Sequence, residues 1–332
     1  MDPEPVTVAS QPLHNERDVI RSAGRQAISA FLDAHTCFSV IRASGKVVVF
    51  DTRIPIQLAF YALVEHDMQA APLWDPALCQ FVGLLTVTDF IDILRHYRAN
   101  GLDVSTLGTR PIAETLNDPT LSGGVVKSFQ SADTSTTLKQ ACLMLHKNSM
   151  DFLPIMFPED MRVLATFTYT NILEHLVTHF REQRRLFDDT IYDLNIGTYH
   201  DKLVTVTPSQ RLAETLDLLH KHNLSALPVV DPSTRQILGV YSRSDITFLA
   251  TAADAENAIA NLDMTLEQIM AQQRTDMTTP DALHTCSKGH SLQSIFEYFA
   301  QLRFNRLFVV DEKECLVGVV SARDLVAYFL DE

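Results

Sequence analysis

The sequence predicts an α/β protein in which one β-α-β-β-α unit is written four times and the copies join as two pseudo-symmetric pairs. Three observations predict it. Short apolar runs rich in β-branched residues are each followed, across a turn, by a second such run and then by a helix that opens on Ser or Thr. The runs recur at fixed spacing: Pro72, Pro154 and Pro228 precede Asp89, Asn171 and Asp245 by 17 residues, and Phe308 precedes Asp324 by 16. A unit of three strands and two helices cannot cover both faces of its sheet alone, so copies must pack against one another.

Residues 1–26 read as a loose arm with the start of a first helix, since Pro3, Pro5 and Pro12 stand among charges with little apolar content. The helix is expected from Asp18 through Ile28 and Phe31. The first pair then spans 27–186, with copies at about 36–98 and 125–180. In the first copy Lys46–Phe50 is a strand, and Ile54–Glu65 a helix with Pro55 in its first turn. A hairpin of Ala70–Asp75 and Phe81–Thr86 follows, then a helix over Phe90–His96. Glycines and prolines from Gly101 to Gly124 make a linker around one short helix at Ile112–Leu116.

The second copy places a helix at Leu138–His146 and a hairpin of Phe152–Met156 with Arg162–Phe167. The charged stretch Arg181–Asp189 marks the boundary to a second pair, 187–332, with copies at about 197–250 and 283–332. The third copy opens at Gly197-Thr-Tyr199 and has a strand at Leu203–Val206, a helix at Arg211–His222 and a hairpin. In that hairpin Leu224–Asp231 turns through Asp231-Pro232-Ser233, whose side chains and fixed φ favour a turn, into Ile237–Tyr241. Ser242-Arg-Ser-Asp245 then opens a helix over Ile246–Ala250. Ala250–Ala271 has helical spacing at Leu262, Leu266 and Ile269. The fourth copy starts near His284, pairs Arg306–Asp311 with Leu316–Val320, and closes with a helix at Leu325–Leu330.

A net charge of −14 over 332 residues argues against a nucleic-acid or anionic-membrane surface, although a small phosphate site needs only a few local donors. Cys37, Cys79, Cys142, Cys286 and Cys315 are scattered and form no C-x-x-C pair, which reads as reduced thiols in an intracellular protein. No stretch resembles a signal peptide or a membrane span, so the expected location is cytoplasmic, with the nucleus also open. No nucleophile elbow, phosphate-cradling glycine loop or kinase signature is present, so no catalytic residues and no enzyme are read. His175 and His179 stand four apart on a helix, but no third ligand is evident, and two surface histidines are the better reading. No metal site is assigned. His220 and His222 read as solvated helix-end residues, and Trp74 as packing.

Thr86, Thr168, Ser242 and Ser321 each lie three residues before Asp89, Asn171, Asp245 and Asp324. The plain reading is a helix cap with an acid in the first turn. The sharper one is a clamp in which a carboxylate accepts hydrogen bonds from both hydroxyls of a ribose. Where paired sheets meet helix amino ends, exposed backbone N–H groups suit an anion.

The strings Lys46–Thr52, Ala70–Asp75, Phe81–Ile91, Ile196–Tyr199 and Ser225–Asp231, in this order, resemble cystathionine-β-synthase-type (CBS) motifs paired into Bateman modules. From roughly residue 27 onward the chain is similar to the γ regulatory subunits of AMP-activated protein kinase, as a divergent member. The resemblance implies four CBS repeats in two Bateman modules, and a non-catalytic subunit that binds AMP, ADP or ATP in clefts between paired repeats. It also implies a catalytic α partner that reads nucleotide state and a β scaffold partner adding a strand near Val47–Val49.

Carried over residue by residue, the site comprises Asp324, Ser321, Arg306, Thr198, Ser225 and Leu224. Asp245, Asp89 and Arg274 are added at their own copies. The chain departs from the family at Gln69, Asp151, Phe152, Thr170, Asn171 and Asn305, which removes cations; Asn171, where the family has a basic residue, is also a poor diol acceptor, so the site of the second copy is read as unused. Those departures leave two alternatives open: a γ-like scaffold with largely degenerate sites, or a stand-alone adenylate-binding CBS pair.

Overall fold

The computed structural model describes residues 12–41, 47–66, 68–103, 106–118, 129–180, 187–246, 255–272, 282–302 and 304–330. The chain opens on α1 (Pro12–Ala34), which begins ahead of the expected Asp18. The first unit is β1 (Phe50–Asp51), α2 (Ile56–Glu65), β2 (Ala70–Asp75), β3 (Gln80–Thr86) and α3 (Val87–Asn100), followed by the short α4 (Ile112–Leu116). The second is β4 (Ala132–Asp133), α5 (Leu138–Lys147), β5 (Leu153–Phe157), β6 (Arg162–Phe167) and α6 (Tyr169–His179). The third is β7 (Thr198–Tyr199), α7 (Leu212–Lys221), β8 (Ala226–Val230) and β9 (Ile237–Ser242), with α8 (Ala255–Ala260) and α9 (Leu266–Gln272) after it. The fourth is β10 (Thr285–Ser287), α10 (Leu292–Leu302), β11 (Arg306–Val310), β12 (Leu316–Ser321) and α11 (Ala322–Leu330).

Each unit is built on an antiparallel hairpin, and each hairpin shifts register at the same place: Leu73/Trp74, Ile155/Met156, Val229/Val230 and Val309/Val310. A bulge there strengthens the local twist, so that the second strand delivers the following helix to the same end of the sheet. In the first, second and fourth units a short strand runs parallel to the hairpin: β1 on β2, β4 on β5 and β10 on β11.

Several boundaries differ from expectation for identifiable reasons. Only Phe50–Asp51 pair as a strand, and 47–49 lie outside it. Pro55 is extended (φ −58°, ψ 139°) and sits before the first helical residue, so α2 starts at Ile56 rather than Ile54. The expected strand at Leu203–Val206 shrinks to a single parallel bridge, Val206 to Val229. The strand that does form nearby, β7, leaves its own unit and pairs with β12 of the fourth. Gly197 permits that crossing: its φ is +106°, and a Cβ there would stand 2.5 Å from the Val319 carbonyl oxygen. After Ser242 the backbone makes a 3₁₀ turn over 243–246 in place of an α-helical start. The reach of the expected helix beyond Ile246, and Arg274, lie outside the described residues.

Two large cores hold the molecule, and neither follows chain order. Ile172, Leu173 and Leu176 of the second unit pack with Phe296, Phe299, Leu325 and Phe329 of the fourth, under Ile28 and Leu32 of α1. Ile56, Phe60 and Phe90 of the first unit pack with Leu212, Leu216 and Leu219 of the third, joined by Leu262 and Ile269. A smaller cluster of Val230, Phe308 and Leu316 ties the sheets of the third and fourth units together. Helices therefore join alternate units, and sheet faces join these neighbours. Sequence reasoning paired neighbours and did not see that the larger cores run across the pairs.

Candidate functional site

The strand-to-helix turns share one local design. In the first unit Oδ2 of Asp89 accepts the Thr86 N–H (2.6 Å) and hydroxyl (2.8 Å). In the third, Oδ2 of Asp245 accepts from the Ser242 N–H and hydroxyl (2.5 and 3.0 Å). In the fourth, Oδ2 of Asp324 accepts from those of Ser321 (2.8 and 2.7 Å). Asn171 does the same work for Thr168 through Oδ1 (3.0 and 2.9 Å). Each arrangement satisfies backbone donors that a strand-to-helix transition leaves open. Among the described residues Oδ1 of Asp324 carries no hydrogen bond, so that oxygen is available to a ligand.

These turns converge on one cavity of about 1240 Å³ lined by all four units. The amino ends of α3, α6 and α11 contribute Thr88, Tyr169 and Arg323 to its wall. Of the residues predicted from sequence, Asp324, Ser321, Arg306, Thr198, Ser225, Leu224 and Asp89 all line it. Asp245 is not among the lining residues, although its neighbours Arg243 and Ser244 are. The positions where the chain departs from the family, Gln69, Asp151, Phe152, Thr170 and Asn305, face the same space.

Arg306 is only 6% exposed and donates from Nη2 to Ser225 Oγ at 3.3 Å, so β11 of the fourth unit and the turn before β8 of the third meet at the wall. Thr198 arrives by the β7 crossing.

Sequence reasoning missed a cation that bridges two units at the wall. Arg243 donates from Nη1 to Thr88 Oγ1 at 3.0 Å and from Nη2 to Asn223 Oδ1 at 3.3 Å, bridging the third and first units. Burial pulls its pKa down, and Arg306 adds to that; Asp151, Asp92 and Asp89 oppose it. A guanidinium keeps its charge through such a shift. Arg95, Asp92, Lys202 and Arg323 were missed as well. Arg95 holds Asp217 of α7 at 2.7 Å, and His220 Nδ1 lies 2.8 Å from Asp92 Oδ1. A usable signal existed: Arg243 and Arg323 lie between the capping hydroxyl and the acid, so they emerge from the same turn as the predicted residues. His220 and His222, read as solvated helix-end residues, line the cavity.

The histidine reading needs a second correction. His175 is buried, because α1 lays Phe31 and His35 across α6. Its ring lies 5.1 Å from that of His35 and 4.3 Å from that of His179. Burial, with smaller contributions from His179 and His35, lowers its pKa to about 4. Among the described residues no cluster of three or more His, Cys, Asp or Glu side chains is arranged to hold a metal ion. No helix among them is long and apolar enough to cross a membrane.

A CBS-domain family model matches residues 196–250 and 275–331. The chain is 34% identical over 312 residues to 5'-AMP-activated protein kinase subunit gamma-3 of Homo sapiens, covering 93% of this chain and 62% of that protein. It is 30% identical over 326 residues to 5'-AMP-activated protein kinase subunit gamma of Dictyostelium discoideum, covering 96% and 56%. The chain thus spans about three fifths of the length of the curated relatives it matches. In fold it is similar to the crystal structure of a Methanocaldococcus jannaschii protein described as an archaeal homologue of γ-AMPK. That match has a TM-score of 0.70 at 17% identity, over 89% of this chain and 99% of the other.

Proposed function

The chain is a homologue of the γ subunits of AMP-activated protein kinase and carries CBS domains, and from that premise we propose that it is the non-catalytic regulatory subunit of such a kinase. Its four units act as four CBS repeats in two Bateman modules, 27–186 and 187–332. The central cavity takes AMP, ADP or ATP. Asp324 grips the ribose diol, Arg306 and Arg243 meet phosphate, and Leu224 and Ser225 border the base. Asp89 and Asp245 offer further diol acceptors. A catalytic α subunit reads occupancy and a β subunit adds a strand beside 47–49. The proposed setting is the cytoplasm, with the nucleus open as well.

One observation carries the reading: a carboxylate whose Oδ1 has no hydrogen bond among the described residues, that of Asp324, and the buried Arg306 line one cavity. Ligand binding would shift a population of kinase-docked states in proportion to its preference between them. Calorimetric titration with AMP, ADP and ATP tests the core of this. Saturable binding that Asp324→Ala weakens is expected, and no heat at millimolar nucleotide removes the sensing role.

A scaffold reading draws on a different observation. Asn171 caps its helix as Asp89 and Asp324 cap theirs, so the fold itself does not need the acid. If Asp324→Ala left nucleotide affinity and kinase activation unchanged while assembly persisted, the scaffold reading would replace the first. Failure to co-purify kinase subunits would favour a stand-alone adenylate-binding protein.

A further inference from the structure

Where α1 crosses α6, three imidazoles meet. The His175 ring stands edge-on to His35 of α1 at 5.1 Å and stacks on His179 of its own helix at 4.3 Å, with Phe31 of α1 at 5.6 Å. His175 is buried, and its Nε2 has no hydrogen-bond partner among the described residues. Its neighbours on that face of α6, Ile172, Leu173 and Leu176, are apolar core. A leucine or phenylalanine would complete the face without burying an unpaired nitrogen. Packing alone therefore does not account for the imidazole.

The neighbouring rings do not satisfy it. Nδ1 of His35 donates to the Phe31 carbonyl (2.8 Å), and Nδ1 of His179 donates to the His175 carbonyl (3.1 Å). A carbonyl only accepts, so both of those nitrogens carry hydrogens already. The titratable groups that act on His175 are His179 and His35, in the same direction as burial. The turn Cys37–Val40, α10 and α11 also pack on α6, and no titratable group of theirs acts on it. Arg21, Arg25 and Asp33 of α1 are engaged elsewhere: Arg21 with Asp189 and Asp18, Arg25 over the Tyr328 ring, Asp33 accepting from Thr137. A proton on His175 thus enters a dry contact in which no carboxylate meets it.

The other attachments of α1 are insensitive to mild acid. Ile28 and Leu32 hold it by burial. Arg21 hydrogen-bonds Asp189 at 2.8 Å, which holds that carboxyl below its usual range and therefore ionised.

We propose that α1 is an acid-released strap: a proton on His175 breaks the contact with His35 and Phe31 and frees α1 from the second unit, while the rest of the chain stays folded. Release hydrates His175 and uncovers Phe180, whose ring Phe31 meets edge-on at 5.4 Å. The strap is independent of what the cavity binds. In the closed state burial lowers the His175 pKa to about 4, and in the open state the ring returns to its ordinary 6.5. The closed state is therefore fully favoured above pH 6.5 and loses ground as pH falls toward 4. At pH 5 the open-to-closed ratio should be about thirtyfold that at pH 7.5.

Hydrogen exchange of the full chain, followed peptide by peptide at pH 7.5 and pH 5 and corrected for the intrinsic rate at each, reads that ratio. Amides of α1 are expected to lose protection about thirtyfold on acidification, while those of α7, in the other large core, change by less than about threefold. His175→Phe keeps a ring in the contact and should hold the change in α1 below about threefold. Equal loss in α1 and α7 would mean that the chain unfolds as a whole, and equal protection of α1 at both pH values would mean that nothing is released. Either result overturns the strap, as does a loss in α1 that persists in His175→Phe. Should that variant not fold, the comparison of α1 with α7 in the parent decides alone.

Discussion

In the second unit Asn171 caps Thr168 at the head of α6; in the fourth, Asp324 caps Ser321 at the head of α11, and both helices run into the same hydrophobic core. Around those matching frames the cavity walls differ. The fourth unit brings Arg306 and a carboxylate, whereas the second brings Asp151, Phe152 and Thr170. Packing needs the hairpin, the bulge and a cap that satisfies two donors, and each unit keeps all of these. Charge at the cavity is not needed by the fold, so it was free to change. Sharing of the core and divergence at the wall can be tested separately.

The largest effects should come from the part the units share. Ile172 of α6 and Leu325 of α11 are both fully buried in that core. Replacing either with alanine should cost about 2–5 kcal/mol by urea denaturation. Because one core serves both units, each variant should unfold them in a single transition. Two resolved transitions would mean that the second and fourth units are stable independently, and the comparison would lose its common frame.

The next effect separates the units by pH. Four residues after Asn171 stands His175, buried under His35; four after Asp324 stands Tyr328, half-buried under Arg25. In the fold His175 has a pKa near 4, below its ordinary 6.5, so folding favours the neutral ring. The resulting stability is present above pH 6.5 and is lost as pH falls toward 4. His179 and His35, which face it, act on His175 in the same direction as burial. At pH 5 the parent should have lost roughly 2 kcal/mol, at about 1.4 kcal/mol per pH unit. His175→Phe should flatten that slope, as followed by melting temperature across pH 4.5–7.5. An unchanged slope would show that α1 does not hold His175 in a dry contact.

How far these differences were legible follows from what each residue depends on. The hairpins and caps repeat locally, so spacing located them, while Arg306, Ser321 and Asp324 were placed in the site by the resemblance to the family. The cavity's remaining equipment depends on which units meet. Arg243 reaches Thr88 across 155 positions, and Arg323 faces Tyr169 only because helices pair alternate units. The β7 crossing and the burial of His175 under α1 are likewise products of assembly. A pattern of apolar residues reports that a face is covered but not by which partner, and that is why Leu203–Val206 was read as a strand.

Smaller effects test the caps. Thr168→Ala and Ser321→Ala each remove a hydroxyl that donates to the N3 side chain, leaving the strand-end N–H bond in place. Each should cost about 0.5–2 kcal/mol, and by similar amounts, if the cap is a structural device common to both units. A cost confined to Ser321→Ala would mean that Asn171 is a poor substitute for the acid and that the second unit is held chiefly by its core.

The smallest change in stability should come from exchanging the caps themselves, and it bears most directly on function. Asp324→Asn retains an oxygen in reach of the Ser321 N–H and hydroxyl but removes the charge, so only the helix-dipole contribution of about 0.3–1 kcal/mol should be lost. Asn171→Asp should gain a similar amount, reduced by repulsion from Asp151 across the same wall. Binding should respond differently. Among the described residues Oδ1 of Asp324 carries no hydrogen bond, so the loss of its charge should weaken a ribose-bearing ligand about tenfold while melting temperature moves little. Asn171→Asp should weaken a phosphate-bearing ligand, because it adds a carboxylate near a cavity that Asp151 already lines. If both exchanges left affinities unchanged, the acid of the fourth unit would be a cap like the amide of the second, and the two walls would differ in sequence without differing in chemistry.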